Sequence, residues 1–392
     1  MREWCRRAVV GLGRLTGSLW EVSVRVSWDQ VFAWRMRRQF VDPRGKAGAV
    51  EVAARLGGVQ AQVTSAAETA VAVRQSAGEP GGVVTALGEG ALVKTWAMRG
   101  TLHALTPGMA VAVLSLMASA RTWEKPSWQK AFGASPDEVA DLVKAVAGIL
   151  DGAVLTREQL VSALLAERRF QSMERELRSG WGALLKPLAW QGALCHGPTQ
   201  GKTITFTNPA SLIPGWAGIP EPDIAAPETI TAYLGAYGPG TPEAFDAWLT
   251  RGSLRKTVVR RWFSELGDRL TEVEVDDRTG FILTEHADEL AATEPAHSVR
   301  LLGPFDQYVL GPGTNDTALL PGDHRAKVSR TAGWISPLVL VDGRIAGTWE
   351  IDNGDLAVAM FDDAPLPKAG LQAEVPHIAR ATGQPVNGVR SA

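Results

Sequence analysis

Cysteine is nearly absent from this 392-residue chain: Cys5 and Cys195 are the only two, far apart and in no Cys-x-x-Cys pair. That excludes a disulfide framework and a structural zinc site, and it fits a reducing cytoplasm. An excess of charge of either sign is also missing. Forty Lys and Arg against 42 Asp and Glu leave a net charge of −2, so the chain as a whole is no basic coat for nucleic acid, although a neutral total can hide a basic face. No apolar run approaches the roughly 20 residues of a membrane-spanning helix. The start, Met1-Arg2-Glu3-Trp4-Cys5-Arg6-Arg7 followed by Ala8 to Leu12, resembles a signal peptide only until Arg14 interrupts it, and no small-x-small cleavage site follows. Residues 1–24 are expected to be a loosely ordered extension. There is no Gly-x-Ser-x-Gly elbow to go with Asp323-His324, and Gly17 falls one residue too late after Gly11-Leu12-Gly13 for a dinucleotide fingerprint. Cys195-His196 has no metal partners at ligand spacing, so neither a metal nor a cofactor is expected.

What is present is an ordinary globular composition, 45% hydrophobic and 21% charged, in a chain long enough for two to four compact units. Fourteen tryptophans are expected to serve packing, because their large area dominates burial. One supersecondary pattern recurs three times. Residues 241–249 and 254–266 read as helices around a Gly252-Ser253 turn, and 271–275 and 281–283 as a hairpin. Residues 157–165 and 173–191 read as helices before a hairpin from 193–196 to 203–206, and an opening helix over 28–38 leads to a hairpin over 96–105. Helix, turn, helix and hairpin is a winged-helix pattern, so the fold is expected to be α+β, three tandem winged helix-turn-helix units and a small all-β domain. The expected boundaries are 25–125, 126–215 and 216–295 for the units, with Pro-rich links at 213–227, and 296–366 for the β domain. Strands are expected at 298–302, 308–310, 333–341 and 345–350. An Ala-, Gly- and Pro-rich tail, 367–392, is expected to be loose.

Inside the first unit lies Val59-Gln60-Ala61-Gln62-Val63. A helical stretch over 46–56 stops at Gly57-Gly58, and Ser65 with Glu68 three residues on matches a capping box for the next helix. If the five residues between are extended, Gln60 and Gln62 share one face while Val59, Ala61 and Val63 face the core. On spacing alone, two such glutamines are more simply loop residues capping backbone groups. This stretch resembles the Gln-x-Gln or Gln-x-Asp signature of the AlkZ and YcaQ-like winged-helix DNA glycosylases, and its second Gln is similar to the AlkZ branch. Ser27-Trp28-Asp29-Gln30-Val31, Trp96 to His103, Leu302 to Tyr308 and Val341 to Trp349 resemble other marks of that family, roughly over 26–361.

The resemblance implies a monofunctional glycosylase acting on double-stranded DNA that carries alkylated purines, with Gln60 and Gln62 positioning water. It also implies a link to self-resistance against DNA-alkylating natural products. Glutamine does not titrate, so the pair cannot supply a strong acid or base. A purine alkylated at N7 or N3 already carries positive charge and needs no general acid to leave. Holding a water and stabilising an oxocarbenium-like sugar remain, and two amide oxygens can do both. An interstrand crosslink further demands an open site rather than a deep flipped-base pocket. Ala61 leaves the shape of the site floor open.

For DNA contact the sequence offers Arg35, Arg37, Arg38, Lys94, Arg99 and His103 in the first unit, and Arg255, Lys256 and Arg260 on the second helix of the third. Thirty arginines to ten lysines favour bidentate phosphate contacts. A solvated helix face is the plain alternative for each basic cluster, and a structural role the plain alternative for His103. Asp306 is read as a turn cap or as orienting a neighbour. A non-enzymatic DNA-binding regulator or damage binder and a protein-binding scaffold are the competing functions. No membrane and no obligate protein partner are expected.

Overall fold

The computed structural model describes residues 24–179 and 182–392; the expected extension therefore lies outside the described residues except for Val24. The fold is mixed α+β, built around three small three-stranded sheets and one five-stranded sheet.

Ser27 starts the first helix, Trp28–Arg38, with a reciprocal capping box: its Oγ accepts the Gln30 N–H at 3.3 Å and Gln30 Oε1 accepts the Ser27 N–H at 3.0 Å. This helix does not pack where its sequence position suggests. Val31 and Trp34 join Val273, Ile282 and Leu290 of the 216–295 segment in one core, and Phe32 and Met36 join the carboxy-terminal domain. The strand before it, Val24–Val26, pairs in parallel with Leu270–Val275, extending the Leu270–Val275/Arg278–Leu283 hairpin. The boundary expected at 25 thus cuts through a strand that serves the distant hairpin.

The helix Ala49–Arg55 ends at Gly57 (φ +62°) and Gly58 (φ +121°), and Val59–Gln60 follows as a short strand. It pairs with Leu102–Leu105, which pairs in turn with Val93–Trp96. The next helix, Thr64–Ala72, has no side-chain cap, so the expected Ser65–Glu68 box does not form. Glu68 is buried instead and accepts the N–H groups of Gly81, Val83 and Val84 at 2.8–3.1 Å, capping the neighbouring helix Gly82–Gly88. A buried carboxylate gains more from three exposed amides of another helix than from one amide of its own.

The helix Arg157–Leu165 forms as expected, and Val154–Thr156, Thr205–Thr207 and Cys195–His196 make the second sheet. The single helix expected over 173–191 is broken into Glu174–Arg178 and Leu185–Trp190. Gly182, at φ +63°, lies where a Cβ would stand 2.7 Å from the Trp96 ring, so the chain turns to let the indole in. The Pro-rich link is shorter than expected, because the helix Pro222–Tyr237 begins inside it and sends Ile230, Tyr233, Leu234 and Tyr237 into the largest core. Helices Pro242–Thr250 and Lys256–Glu265 match the sequence reading.

In the carboxy-terminal domain, strands Val299–Leu302, Leu338–Val341, Arg344–Asp352, Asp355–Met360 and Gly388–Ser391 lie in that order. The expected strand at 308–310 is one helical turn, Gln307–Leu310, because Asp306 accepts the Tyr308 N–H at 2.8 Å and caps it. That at 333–341 starts only at Leu338. The tail is ordered rather than loose. Lys368–Thr382 is a helix whose Leu371, Val375 and Ile378 complete the core, and Gly388–Ser391 adds a parallel edge strand. Its Ala and Gly content hid an amphipathic face. Arg74 and Asp306, both fully buried, join the first segment to this domain through two 2.7 Å bonds.

Candidate functional site

Gln60 owes its place to Gly58. At φ +121° a Cβ there would lie 3.0 Å from Leu105 and 3.1 Å from Met98, so only glycine lets the chain leave the helix this close to the hairpin. Gln60 then stands opposite His103, and Ala61 N–H donates to Leu102 O at 2.8 Å. Val59 and Ala61 are buried in a small aliphatic core, as the alternation requires. Gln60 is 6% exposed, and its amide has no hydrogen-bond partner among the described residues. It faces a cavity of about 460 Å³. Gln62 is exposed and lies outside that lining; its Oε1 accepts the Leu102 N–H at 3.3 Å, leaving its NH₂ and a second lone pair free.

The rest of the lining comes from parts of the chain far from the glutamines. Arg99 and Thr101 come from the hairpin tip, Ala247, Trp248 and Arg251 from the end of the helix Pro242–Thr250, and Leu310–Asn315, Arg325, Ser329, Gly333 and Ile335 from the carboxy-terminal domain. Three arginines line it, with no carboxylate, histidine or lysine. Nothing in it can act as a general acid or base near neutral pH, and no amine is available to form a Schiff base. Among the described residues no group of three or more His, Cys, Asp or Glu side chains could hold a metal, and no helix is long and apolar enough to cross a membrane.

A family model of the AlkZ-like DNA glycosylases matches residues 53–382. The chain belongs to that family. The interstrand DNA cross-link repair glycosylase of Streptomyces sahachiroi is 56% identical over 362 residues, covering 92% of this chain and 98% of that protein. The solved structure of the DNA glycosylase AlkZ of the same organism superposes with a TM-score of 0.92 at 55% identity, covering 94% and 100% of the two chains. This glycosylase is accordingly a monofunctional enzyme that hydrolyses N-glycosidic bonds in DNA.

The residues expected to touch DNA fare unevenly in the glycosylase. Arg35 is buried, donating to Gly238 O at 3.1 Å and Pro239 O at 3.2 Å, and Arg38 is half-buried, donating to Gly235 O at 3.1 Å. Both face the interior because their helix is covered by the Pro222–Tyr237 helix and by the third hairpin, so in this structure their N–H groups brace the fold. His103 is fully buried, with Nδ1 3.1 Å from Thr101 O. Burial, helped by Arg99, drives its pKa down to about 3. It is a neutral ring opposite Gln60, shut off from solvent in this structure.

Arg99 does reach the cavity, but its Nη1 is held by Trp248 O at 3.0 Å and Leu310 O at 3.2 Å, leaving Nη2 without a partner. Burial lowers its pKa to about 10. Lys94 is half-buried and shifted down by burial. Arg37, Arg255 and Lys256 are exposed and none lines the cavity; Arg260 is tied to Glu243 at 2.6 Å. The sequence reading missed Arg251 and Arg325. The first carried a faint signal, an arginine just before the Gly252 that ends a helix, and the second carried none.

Proposed function

We propose that this glycosylase releases cationic N7-alkylated purines, including bulky adducts and interstrand crosslinks, with Gln60 and Gln62 as the catalytic pair. The observation that carries this reading is the unpartnered Gln60 amide in a cavity free of carboxylate, histidine and lysine. Such a site can hold a water against the anomeric carbon but cannot protonate a leaving group, so it suits a base that is already charged. Gln60 accepts a hydrogen bond from that water. Gln62, oriented by the Leu102 N–H, offers its second lone pair to the oxocarbenium-like sugar. The three arginines would repel that cation in the free protein; bound phosphates neutralise them, so charge stabilisation in the complex falls to the amide oxygens and the DNA itself.

The open cavity between three regions of the chain suits a base that stays tethered to the opposite strand, and the name of the 56% identical relative supports the inclusion of crosslinks. We read the three helix-and-hairpin segments as winged-helix units that present this cavity to duplex DNA. The biological setting that fits is repair, and self-protection in a producer of a DNA-alkylating metabolite.

The test is base release from a duplex carrying a single N7-alkylguanine, under single-turnover conditions. Gln60→Ala and Gln62→Ala are expected to lose release by at least the hundredfold typical of a lost transition-state contact, at unchanged DNA affinity. The wild-type rate is expected to be flat from pH 6 to 8.5, because no group in the cavity titrates there. A bell-shaped profile would sink the mechanism. Binding of simple and bulky lesions and of a crosslink without any release would make the damage binder the better reading.

A further inference from the structure

The cationic group around the Gln60 cavity is electrostatically uncompensated. Arg251 is exposed, holds a left-handed conformation at φ +62° just past its helix, and makes no ion pair among the described residues. Burial is the main cause of the lowered pKa of Arg99 and Lys186, and the charge of Arg251 adds to it in both, so Arg251 stands near two other cations. Arg325, the first residue of the short helix Arg325–Val328, is also exposed and unpaired among the described residues and lines the same cavity from the carboxy-terminal domain.

Elsewhere on this surface arginines pair readily: Arg260 with Glu243, Arg261 with Asp223, Arg178 with Glu158, Arg344 with Asp29. Arg37, Arg168, Arg255 and Arg330 also lack an ion pair among the described residues, but Arg251 and Arg325 differ from them in lining one carboxylate-free cavity together with Arg99, whose Nη2 lacks a partner. Clustered like charges cost stability unless an anion takes the space between them, and guanidinium groups are suited to phosphate.

We propose that Arg251 and Arg325 form a phosphate clamp, one jaw from the end of the Pro242–Thr250 helix and the other from the carboxy-terminal domain, that grips the strand carrying the target nucleotide beside Gln60. This rests on Gln60 marking the reaction site, and it gives the carboxy-terminal domain a direct part in holding DNA. Arg251 and Arg325 are positioning residues: they fix the strand and touch no reacting atom. Arg99, held by two carbonyls, lines the same cavity in a fixed position.

The experiment is the salt dependence of duplex binding for Arg251→Gln, Arg325→Gln, the double variant and the Lys replacements, on undamaged DNA and on DNA with one N7-alkylguanine. Each neutralised phosphate contact contributes about one unit to the slope of log K against log salt. Each Gln variant should reduce the slope by about 1 and the double by about 2, weakening both DNAs by the same factor. The Lys variants should keep the slope. With damaged DNA, KM should rise while the single-turnover rate at saturation stays within about threefold. Arg175→Gln, exposed and outside the cavity, is the reference for loss of a surface charge. A wild-type slope in both Gln variants overturns the clamp. So does loss of the saturating rate without a change of slope, which would make these residues catalytic. The slope is read without base release, so failure of the glutamine mechanism and failure of the clamp remain separate results.

Discussion

At the scale of single residues, charged groups that a sequence leaves ambiguous can turn out to hold the fold together. Asp306 sits in a stretch resembling a family mark, and it both caps the Gln307–Leu310 turn and holds the buried Arg74 through two bonds of 2.7 Å. Replacing one partner of such a pair strands the other charge without water. Asp306→Asn is expected to destabilise the protein by about 3–5 kcal/mol, measured as a fall in the urea midpoint. An Arg74→Met/Asp306→Leu double variant should lose less than Asp306→Asn, since it leaves no buried charge behind. Equal stability of wild type and Asp306→Asn would mean that the pair is not buried as described. Arg35 and Arg38 teach the same lesson: a run of arginines in a helix reads as a DNA-facing stripe, yet these two give their N–H groups to carbonyls of a neighbouring helix and its following loop.

At the scale of elements, the strand with the glutamines and the tail helix carry the sharpest tests. Gly58→Ala forces a left-handed-side φ of +121° on an L-residue and a Cβ into Leu105 and Met98. A cost of about 1–3 kcal/mol follows from the backbone alone. Because Gln60 is two residues on, base release should fall more than DNA affinity does; a variant with wild-type release would show that the strand tolerates displacement. The tail helix Lys368–Thr382 supplies Leu371, Val375 and Ile378 to the core, and its Glu374, nearly fully buried, pairs with Arg44 at 2.6 Å and accepts the Leu301 N–H at 3.0 Å. Leu371→Ala should cost about 2–5 kcal/mol, and truncation after 366 should yield insoluble protein. A soluble, active truncation would restore the view of a loose tail.

At the scale of the whole molecule, two buried histidines that the mechanism does not use are expected to contribute to acid sensitivity. Burial, with Arg99 near one and Lys94 and Arg157 near the other, lowers the pKa of both His103 and His196 to about 3. In the unfolded chain each titrates near 6.5, so below that pH the unfolded state binds the extra protons and folding weakens. The loss begins as pH falls through about 6.5 and continues toward 3; at pH 5 it amounts to about 2 kcal/mol per histidine. Urea unfolding at pH 7 and pH 5 should show this drop, and His196→Gln should make it smaller. An equal drop in wild type and variant would locate acid sensitivity elsewhere. Base release should not follow this titration between pH 6 and 8.5, where both rings are neutral.

The sequence by itself determined what local rules decide. Gly57-Gly58 ends a helix whatever surrounds it, Ser27 with Gln30 starts one, and alternation in 59–63 buries Val59 and Ala61. The α+β class followed from such short-range patterns, and the family from the resemblance of short motifs; the glutamines drew attention only through that resemblance. Tertiary structure decided every question of what lies opposite. It sent Glu68 to another helix's amides and paired Val24–Val26 with a strand some 250 residues away. It buried His103 and completed the lining of the Gln60 cavity with Arg251 and Arg325 from two distant segments. Periodicity reports which face of an element is apolar but not which neighbour covers it. A charged side chain's role depends on that neighbour, so the same arginine in sequence becomes a brace beneath a helix or a free cation beside a cavity.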